Sequence, residues 1–280
     1  MKIEEAKQIA NKAIERLSQA LEKGHSETLK IYLAAIGRFH KYSLRNVMMI
    51  ASQKPAASYV AGFHAWRALG RFVKKGERGI MILAPIVRGK ISSIERTEPD
   101  ESSTPLGFRA AYVFDISQTE GKEIPEIGKV SGDPLEQRVR LEKFIAEQDI
   151  VLEYSQDIAP ARGRSSGGKI TLLPGLSVSE GFATLVHELA HEMLHRDQLR
   201  SRTTKRVRET EAEAVAFVVC RGIGLDTGTA AQDYIQLYDG DADLLKKSLE
   251  HIQQTAARIL GAIGAKSSPA PIIENTHVQH

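Results

Sequence analysis

His187-Glu188-Leu189-Ala190-His191 sets two imidazoles four residues apart with a carboxylate beside the first, the HExxH arrangement in which a pair of histidines holds a metal next to a general base. On an α-helix, positions i and i+4 lie about one turn apart on one face, so both rings reach a single ion while Glu188 stays close to a water. The stretch must be helical to work, and its flanks supply the helix. Ser177 followed by Glu180 forms a capping box, and Phe182, Leu185, Val186, Leu189, Met193 and Leu194 recur at helical spacing, which predicts a helix over 178–195. Upstream, 168–173 reads as a short strand that ends at Pro174-Gly175 and turns into that helix. A strand beside a metal helix predicts a zincin-like domain.

A catalytic zinc takes three protein ligands and leaves a fourth position to water. The second helical segment, 206–221, carries Glu209, Glu211 and Glu213 before it turns apolar through Ala214-Val215-Ala216-Phe217-Val218-Val219. Glu213 is the expected third ligand, because an inward carboxylate at the edge of an apolar run is costly unless a metal satisfies it. Glu209 lies one turn earlier on the same face and is the alternative, either as ligand or as an outer partner of a histidine. Glu211 points elsewhere. His195 continues the histidine face, but three histidines along one straight helix span about 12 Å at 1.5 Å per residue and cannot share an ion, so His195 is expected in packing or an outer shell. Tyr234 and His251 are candidates for stabilising an oxyanion.

The rest of the chain restricts how such a site is used. Its 280 residues, 42% of them hydrophobic, fit one large or two modest globular domains. The lone Cys220 lies in the apolar run, which fits a buried thiol in a reducing, cytoplasmic setting. No apolar run is long enough to span a membrane, and the glutamates of the amphipathic start argue against a transit peptide.

Charge is distributed unevenly: residues 1–130 carry a net +7 and residues 131–280 a net −4. Between Thr28 and Lys90 there are twelve basic residues and one acid, Glu77, interleaved with Tyr32, Phe39, Tyr42, Tyr59, Phe63, Trp66 and Phe72. Cations along a backbone and rings under unpaired bases are how single-stranded nucleic acid is held. At least half of these rings are expected in the core. Helices are expected over 3–23, 26–36, 43–51 and 63–69, followed by strands at 79–85 and 108–115 joined by a polar excursion. The Pro/Gly-bearing stretch 121–134 reads as a linker, 135–148 and 244–263 as helices, 150–154 as extended, and the Ser/Pro-containing end as a tail with little to fold around.

Tyr42-Ser43-Leu44-Arg45-Asn46, Ala61-Gly62-Phe63-His64-Ala65-Trp66 through Leu69 to Gly79, and Val113-Phe114-Asp115-Ile116-Ser117-Gln118-Thr119 resemble the N-terminal domain of ArdC-type antirestriction proteins. The HELAH motif followed by Glu211-Ala212-Glu213-Ala214-Val215-Ala216-Phe217 resembles the metallopeptidase domain of that family, related to the ImmA/IrrE group. The resemblance implies an α+β protein of two domains: a mixed helix and small-sheet domain over 1–130 that binds single-stranded DNA, and a mostly helical zincin-like domain over 134–264; composition makes 265–280 a disordered tail. It also supports Glu213 as third ligand and a role in shielding incoming DNA from restriction. The DNA-binding cations expected on this reading are Arg38, Lys41, Arg45, Arg67, Arg71, Lys74, Lys75 and Arg78.

The expected chemistry is peptide hydrolysis by water activated through Glu188 on zinc held by His187, His191 and Glu213. Two other readings stay open: a DNA-binding protector whose zinc domain is an idle scaffold, and an ImmA-like protease that cuts a repressor.

Overall fold

The computed structural model of the chain describes residues 2–23, 26–86, 107–123, 134–196, 203–226 and 242–268. The polar excursion beyond Lys90, most of the expected linker and Tyr234 lie outside them.

The amphipathic start forms helix α1 (Lys2–Glu22), which buries Ala6, Ala10, Ala13, Leu17 and Leu21 and leaves Ile3 exposed. Helix α2 (Ser26–Arg38) and helix α3 (Leu44–Gln53) follow, the latter capped by Ser43, whose side chain accepts from the Asn46 N–H. Strand β1 (Val60–Gly62), helix α4 (Phe63–Ala68) and strand β2 (Arg71–Val73) lead to the expected pair, β3 (Ile80–Ile86) and β4 (Gly107–Asp115). These two run antiparallel with Ile80 opposite Val113, and β1 joins the other edge of β4. A separate ribbon pairs β2 with β5 (Thr119–Gly121).

Asp115 ties this half together. Its carboxylate accepts from the Ser58 and Tyr59 backbone N–H groups at 2.8 and 3.1 Å, and from the Ser117 N–H and hydroxyl at 3.0 and 2.5 Å. Burial alone would raise its pKa, but these donors favour the charged form and hold it below the ordinary carboxylate value. A depressed folded pKa contributes stability that is present above the unfolded value and lost as pH falls through the folded one. Asp115→Asn is therefore expected to cost about 1–2 kcal/mol at neutral pH. In urea titrations from pH 7 to pH 3, the gap between wild type and variant should close below the ordinary carboxylate pKa of about 3.9. A gap independent of pH would show that ionisation of Asp115 is not what stabilises this corner.

The second half is built from helix α5 (Pro134–Glu147), strands β6 (Val151–Tyr154), β7 (Gly163–Ser165) and β8 (Lys169–Leu172), and helices α6 (Val178–Leu194), α7 (Lys205–Gly222) and α8 (Ala242–Ala262). β8 is central in a three-stranded sheet, parallel to β6 and antiparallel to β7. The chain is α+β, as expected, and one apolar cluster holds residues from both the 1–130 and the 134–264 stretches. Leu33 and Ile36 of α2, Val47 and Ile50 of α3, and Val215, Val218 and Val219 of α7 share one apolar cluster with Leu249, Ile252 and Ile259 of α8. The backbones of α2 and α7 approach so closely that a Cβ on Gly37 would stand 2.7 Å from the Val218 carbonyl oxygen.

Of the expected tail 265–280, residues 265–268 are described. Ser267 Oγ donates to the Arg38 carbonyl at 3.1 Å, and Ser268 Oγ accepts from the Val60 N–H at 2.9 Å, so the chain beyond α8 returns to the first half. Among the described residues no helix is long and apolar enough to cross a membrane. Cys220 is buried, and burial pushes its thiol up to about 12, which leaves it inert as a nucleophile.

Candidate metal centre

α6 begins at the expected capping box, with the Ser177 side chain on the Glu180 N–H and the Glu180 side chain back on the Ser177 N–H. Phe182, Leu185, Val186 and Leu189 point into the core against α7, which turns His187 and His191 toward the acidic start of α7. The two rings meet edge to face at 4.8 Å between centroids, and their Nε2 atoms are 3.1 Å apart. Glu209 Oε2 completes a triangle at 3.6 Å from His187 Nε2 and 3.5 Å from His191 Nε2.

These separations suit a divalent cation. Ligands bound at about 2.0–2.1 Å around a tetrahedral ion are roughly 3.3–3.4 Å apart, the middle of the observed range. Two imidazole nitrogens and a carboxylate are a common donor set for such ions. Among the described residues this is the one group of three that brings its ligand atoms within 4.8 Å of each other.

Glu209, the alternative third ligand, rather than Glu213 lies beside the two Nε2 atoms here. Glu213 lies one turn further along α7, where its Oε2 faces His187 Nδ1 at 3.4 Å, on the opposite side of the ring from the triangle. A carboxylate there fixes the ring and makes Nε2 more basic. Burial would lower the His187 pKa, but Glu213, Glu188 and Glu209 outweigh it and hold it above the ordinary value. The field that favours imidazolium equally favours a bound cation.

Glu188 is buried behind the ligands, beside strand β7. Burial raises its carboxyl pKa and Glu209 adds to the rise, against His187 and a hydrogen bond from the Ser165 N–H. A carboxylate so placed takes up a proton more readily than a solvated one. β7 reaches it only because residue 163 is glycine: a Cβ there would lie 2.7 Å from Glu188 Oε1 and from Thr184 Cγ2.

The strand is clamped by Glu192, one turn beyond Glu188. Its buried carboxylate accepts from Ser165 Oγ at 2.6 Å, from the Gly167 N–H at 2.9 Å and from the Gly168 N–H at 2.6 Å. Sequence reading missed both β7 and Glu192; the signal was the glycine pair at 167–168, where both φ angles are positive, followed by a strand.

His195 is a packing residue, as expected. It ends α6, stacks obliquely on His191 and faces Glu211 Oε2 at 3.5 Å. Burial drives His195 down to about 4, with His191 and Arg208 adding to the fall, and burial likewise pushes the Glu211 carboxyl above its ordinary value. Glu211 turns away from the triangle and accepts from Ser248 Oγ at 2.6 Å. His251 stands 3.9 Å from the same carboxylate and is not drawn to the triangle.

In the first half the expected cations divide into two groups. Arg38 Nη1 donates to the Ala57 carbonyl at 2.7 Å, Arg71 grips Thr119 Oγ1, the Thr119 carbonyl and the Lys122 carbonyl at 2.7–2.9 Å, and Lys74 Nζ donates to the Ser117 carbonyl at 3.0 Å. These three are spent on the fold. The exposed side chains of Lys41, Arg45, Arg67, Lys75 and Arg78 make no hydrogen bond or ion pair with another described residue.

Comparison with known proteins places both halves in one frame. Residues 4–123 match the family of the N-terminal domain of anti-restriction factor ArdC. The uncharacterized Bacillus anthracis protein pXO2-81 is 24% identical over 277 residues, which take in 83% of this chain; the chain spans 47% of that relative's length. The crystal structures of the antirestriction ArdC protein from the R388 plasmid, one metal-free and one Mn(II)-bound, each superpose with a TM-score of 0.53. They cover 91% of this chain and 98% of their own, at 21% and 20% identity. Residues 4–123 thus match the ArdC N-terminal domain, and the chain shares the fold of the R388 ArdC protein over 91% of its length.

Proposed function

We propose that this chain is a cytoplasmic antirestriction protein of the ArdC type that binds single-stranded DNA through its first half and carries a zinc-dependent metallopeptidase centre in its second. The match of residues 4–123 to the ArdC N-terminal domain carries this reading. Its chemical half is supported by the convergence of His187 Nε2, His191 Nε2 and Glu209 Oε2 beside a buried Glu188. An ArdC structure described as Mn(II)-bound supports a divalent ion in this fold, and a two-histidine, one-glutamate donor set favours zinc.

His187, His191 and Glu209 would hold the ion, and Glu213 would set the orientation of His187 from the far side of its ring. The ion supplies a Lewis acid that polarises a carbonyl and makes a neighbouring water more acidic. Glu188 would take the proton of that water as its oxygen adds to the scissile carbonyl carbon, and return it to the amine nitrogen as the C–N bond breaks. Ser165 keeps the carboxylate aimed through its backbone N–H, and Glu192 keeps Ser165 in place.

Glu188→Gln tests the reading because it keeps the ligands and removes the base. Metal content and affinity for an oligo(dT) strand should stay at wild-type levels, while hydrolysis of a peptide substrate should fall by about 10²-fold or more. Restriction protection of incoming DNA, measured in the same pair, decides whether the chemistry is needed for it. A wild type that neither binds single strands nor protects DNA would sink the proposal.

A further inference from the structure

We infer that helix α4 and strand β2 form the surface on which unpaired bases stack, with Phe63 and Phe72 as the platforms and Arg67, Lys75 and Arg78 holding the phosphates. The inference rests on the single-strand reading above and names where the strand lies.

Of the seven rings interleaved with the basic stretch, Tyr32, Phe39, Tyr42 and Trp66 are buried, and Tyr59 lies edge-on against Trp66 at 5.7 Å. Phe63 and Phe72 remain 46% and 54% exposed. Both exposures are fixed by their surroundings. α4 is locked by Trp66, which is fully buried and donates from Nε1 to the Phe114 carbonyl at 2.9 Å, so the helix keeps Phe63, His64 and Arg67 exposed. Phe63 and Arg67 are one turn apart on the same face, and His64 meets the Phe63 ring edge to face at 5.6 Å.

In β2, successive side chains alternate between faces. Arg71 is held by Thr119 and Lys122 across the ribbon, which commits Phe72 to the other face. Gly70, with φ at +74°, reverses the chain between α4 and β2 and lets the two elements pack together. The turn after β2 is pinned as well: the Lys74 N–H donates to the Gln118 carbonyl, and Gln118 Nε2 donates to Glu77 Oε2 and to the Arg78 carbonyl, both at 2.8 Å. This leaves the side chains of Lys75 and Arg78 free at the end of the ribbon. Glu77 is engaged by Gln118, and Glu120 sits across from Phe72.

Sixteen residues, 63–78, therefore present two solvent-facing rings on rigid supports and three uncommitted cations. A ring left in water beside free cations gains by stacking on a base while the cations meet the backbone. Bases inside a duplex are already stacked and are not open to these rings.

The test uses the full chain, a fluorescent oligo(dT) strand, an abasic strand of equal length and a duplex, compared by anisotropy. Phe63→Leu and Phe72→Leu should each weaken oligo(dT) binding by about fivefold or more, with affinity for the abasic strand and the slope against salt unchanged. Arg67→Gln and Lys75→Gln should instead lower the salt slope by roughly 0.7 each. If wild type binds oligo(dT) and the double leucine variant binds it equally well, the platforms are elsewhere and this inference fails alone. If the leucine variants lose as much on the abasic strand or on the duplex, stacking is not their role and the inference fails. If wild type does not bind oligo(dT) even at low salt, the single-strand reading itself fails.

Discussion

Glu209→Ala should remove high-affinity metal binding, while Glu213→Gln should only weaken it. Glu209 Oε2 is equidistant within 0.1 Å from the two Nε2 atoms, so its loss leaves two imidazoles and an incomplete set. Glu213 faces Nδ1 of His187 rather than Nε2, and outer partners of a metal histidine carry roughly 10- to 100-fold in affinity. Competition against a chromophoric chelator, with zinc and with Mn(II), should therefore show Glu213→Gln inside that range and Glu209→Ala well beyond it. The opposite ranking would assign the third-ligand role to Glu213, as the apolar edge of its helix indicates. Glu188→Gln in the same titration should stay near wild type, because Glu188 lies outside the triangle.

Gly37→Val should destabilise the whole chain by about 3 kcal/mol, whereas Gly261→Ala should stabilise it by about 0.5–1 kcal/mol. Both glycines are the penultimate residues of their helices, so intrinsic helix propensity favours replacement at each. They differ in what a side chain would meet. A Cβ on Gly37 would press on the Val218 carbonyl at 2.7 Å and the Gly222 N–H nitrogen at 3.1 Å, both backbone atoms that can move only with their helix. A Cβ on Gly261 would meet nothing within 4 Å. Because α2 and α7 share one core, thermal or urea unfolding of Gly37→Val should remain a single transition at lower midpoint. Separation into two transitions would show that the halves are energetically independent despite their contact.

The helices that bear the site were legible because their signals are local. Capping residues at 177 and 180 and the apolar spacing from Phe182 to Leu194 fix α6 within its own sequence, and the same holds for α1, α3 and α8. The antiparallel pair β3 and β4 was legible from apolar runs despite the long excursion between them. Strands β1, β2, β5 and β7, three residues each, carry no alternation long enough to read. Each exists because something distant receives it: β7 is held by β8, Glu188 and Glu192, and β2 by β5 through Arg71.

The two acids of α7 show the same division at the scale of one side chain. Glu209 and Glu213 share a helix face, and sequence places both near the histidines. Which one reaches the Nε2 atoms depends on how far α7 is shifted along α6. One turn is about 5.4 Å, more than the whole width of the triangle. That shift is set by packing, including the close approach of Gly37 to Val218 and of Gly222 to Leu260, which no local pattern encodes.

By itself, then, the sequence determined the metal-binding motif, the helices that carry it, the basic and aromatic character of the first half and the resemblance to ArdC, all of which are written in residues a few positions apart. Only the tertiary structure decided that Glu209 closes the triangle and Glu213 stands behind His187. It also decided that Arg38 and Arg71 are spent on backbone carbonyls, and that Phe63 and Phe72 are the exposed ones among the seven rings of the basic stretch. The physical reason is the same in each case: charge, ring and ligand chemistry belong to a residue, but reach and exposure belong to the packing of elements far apart in the chain.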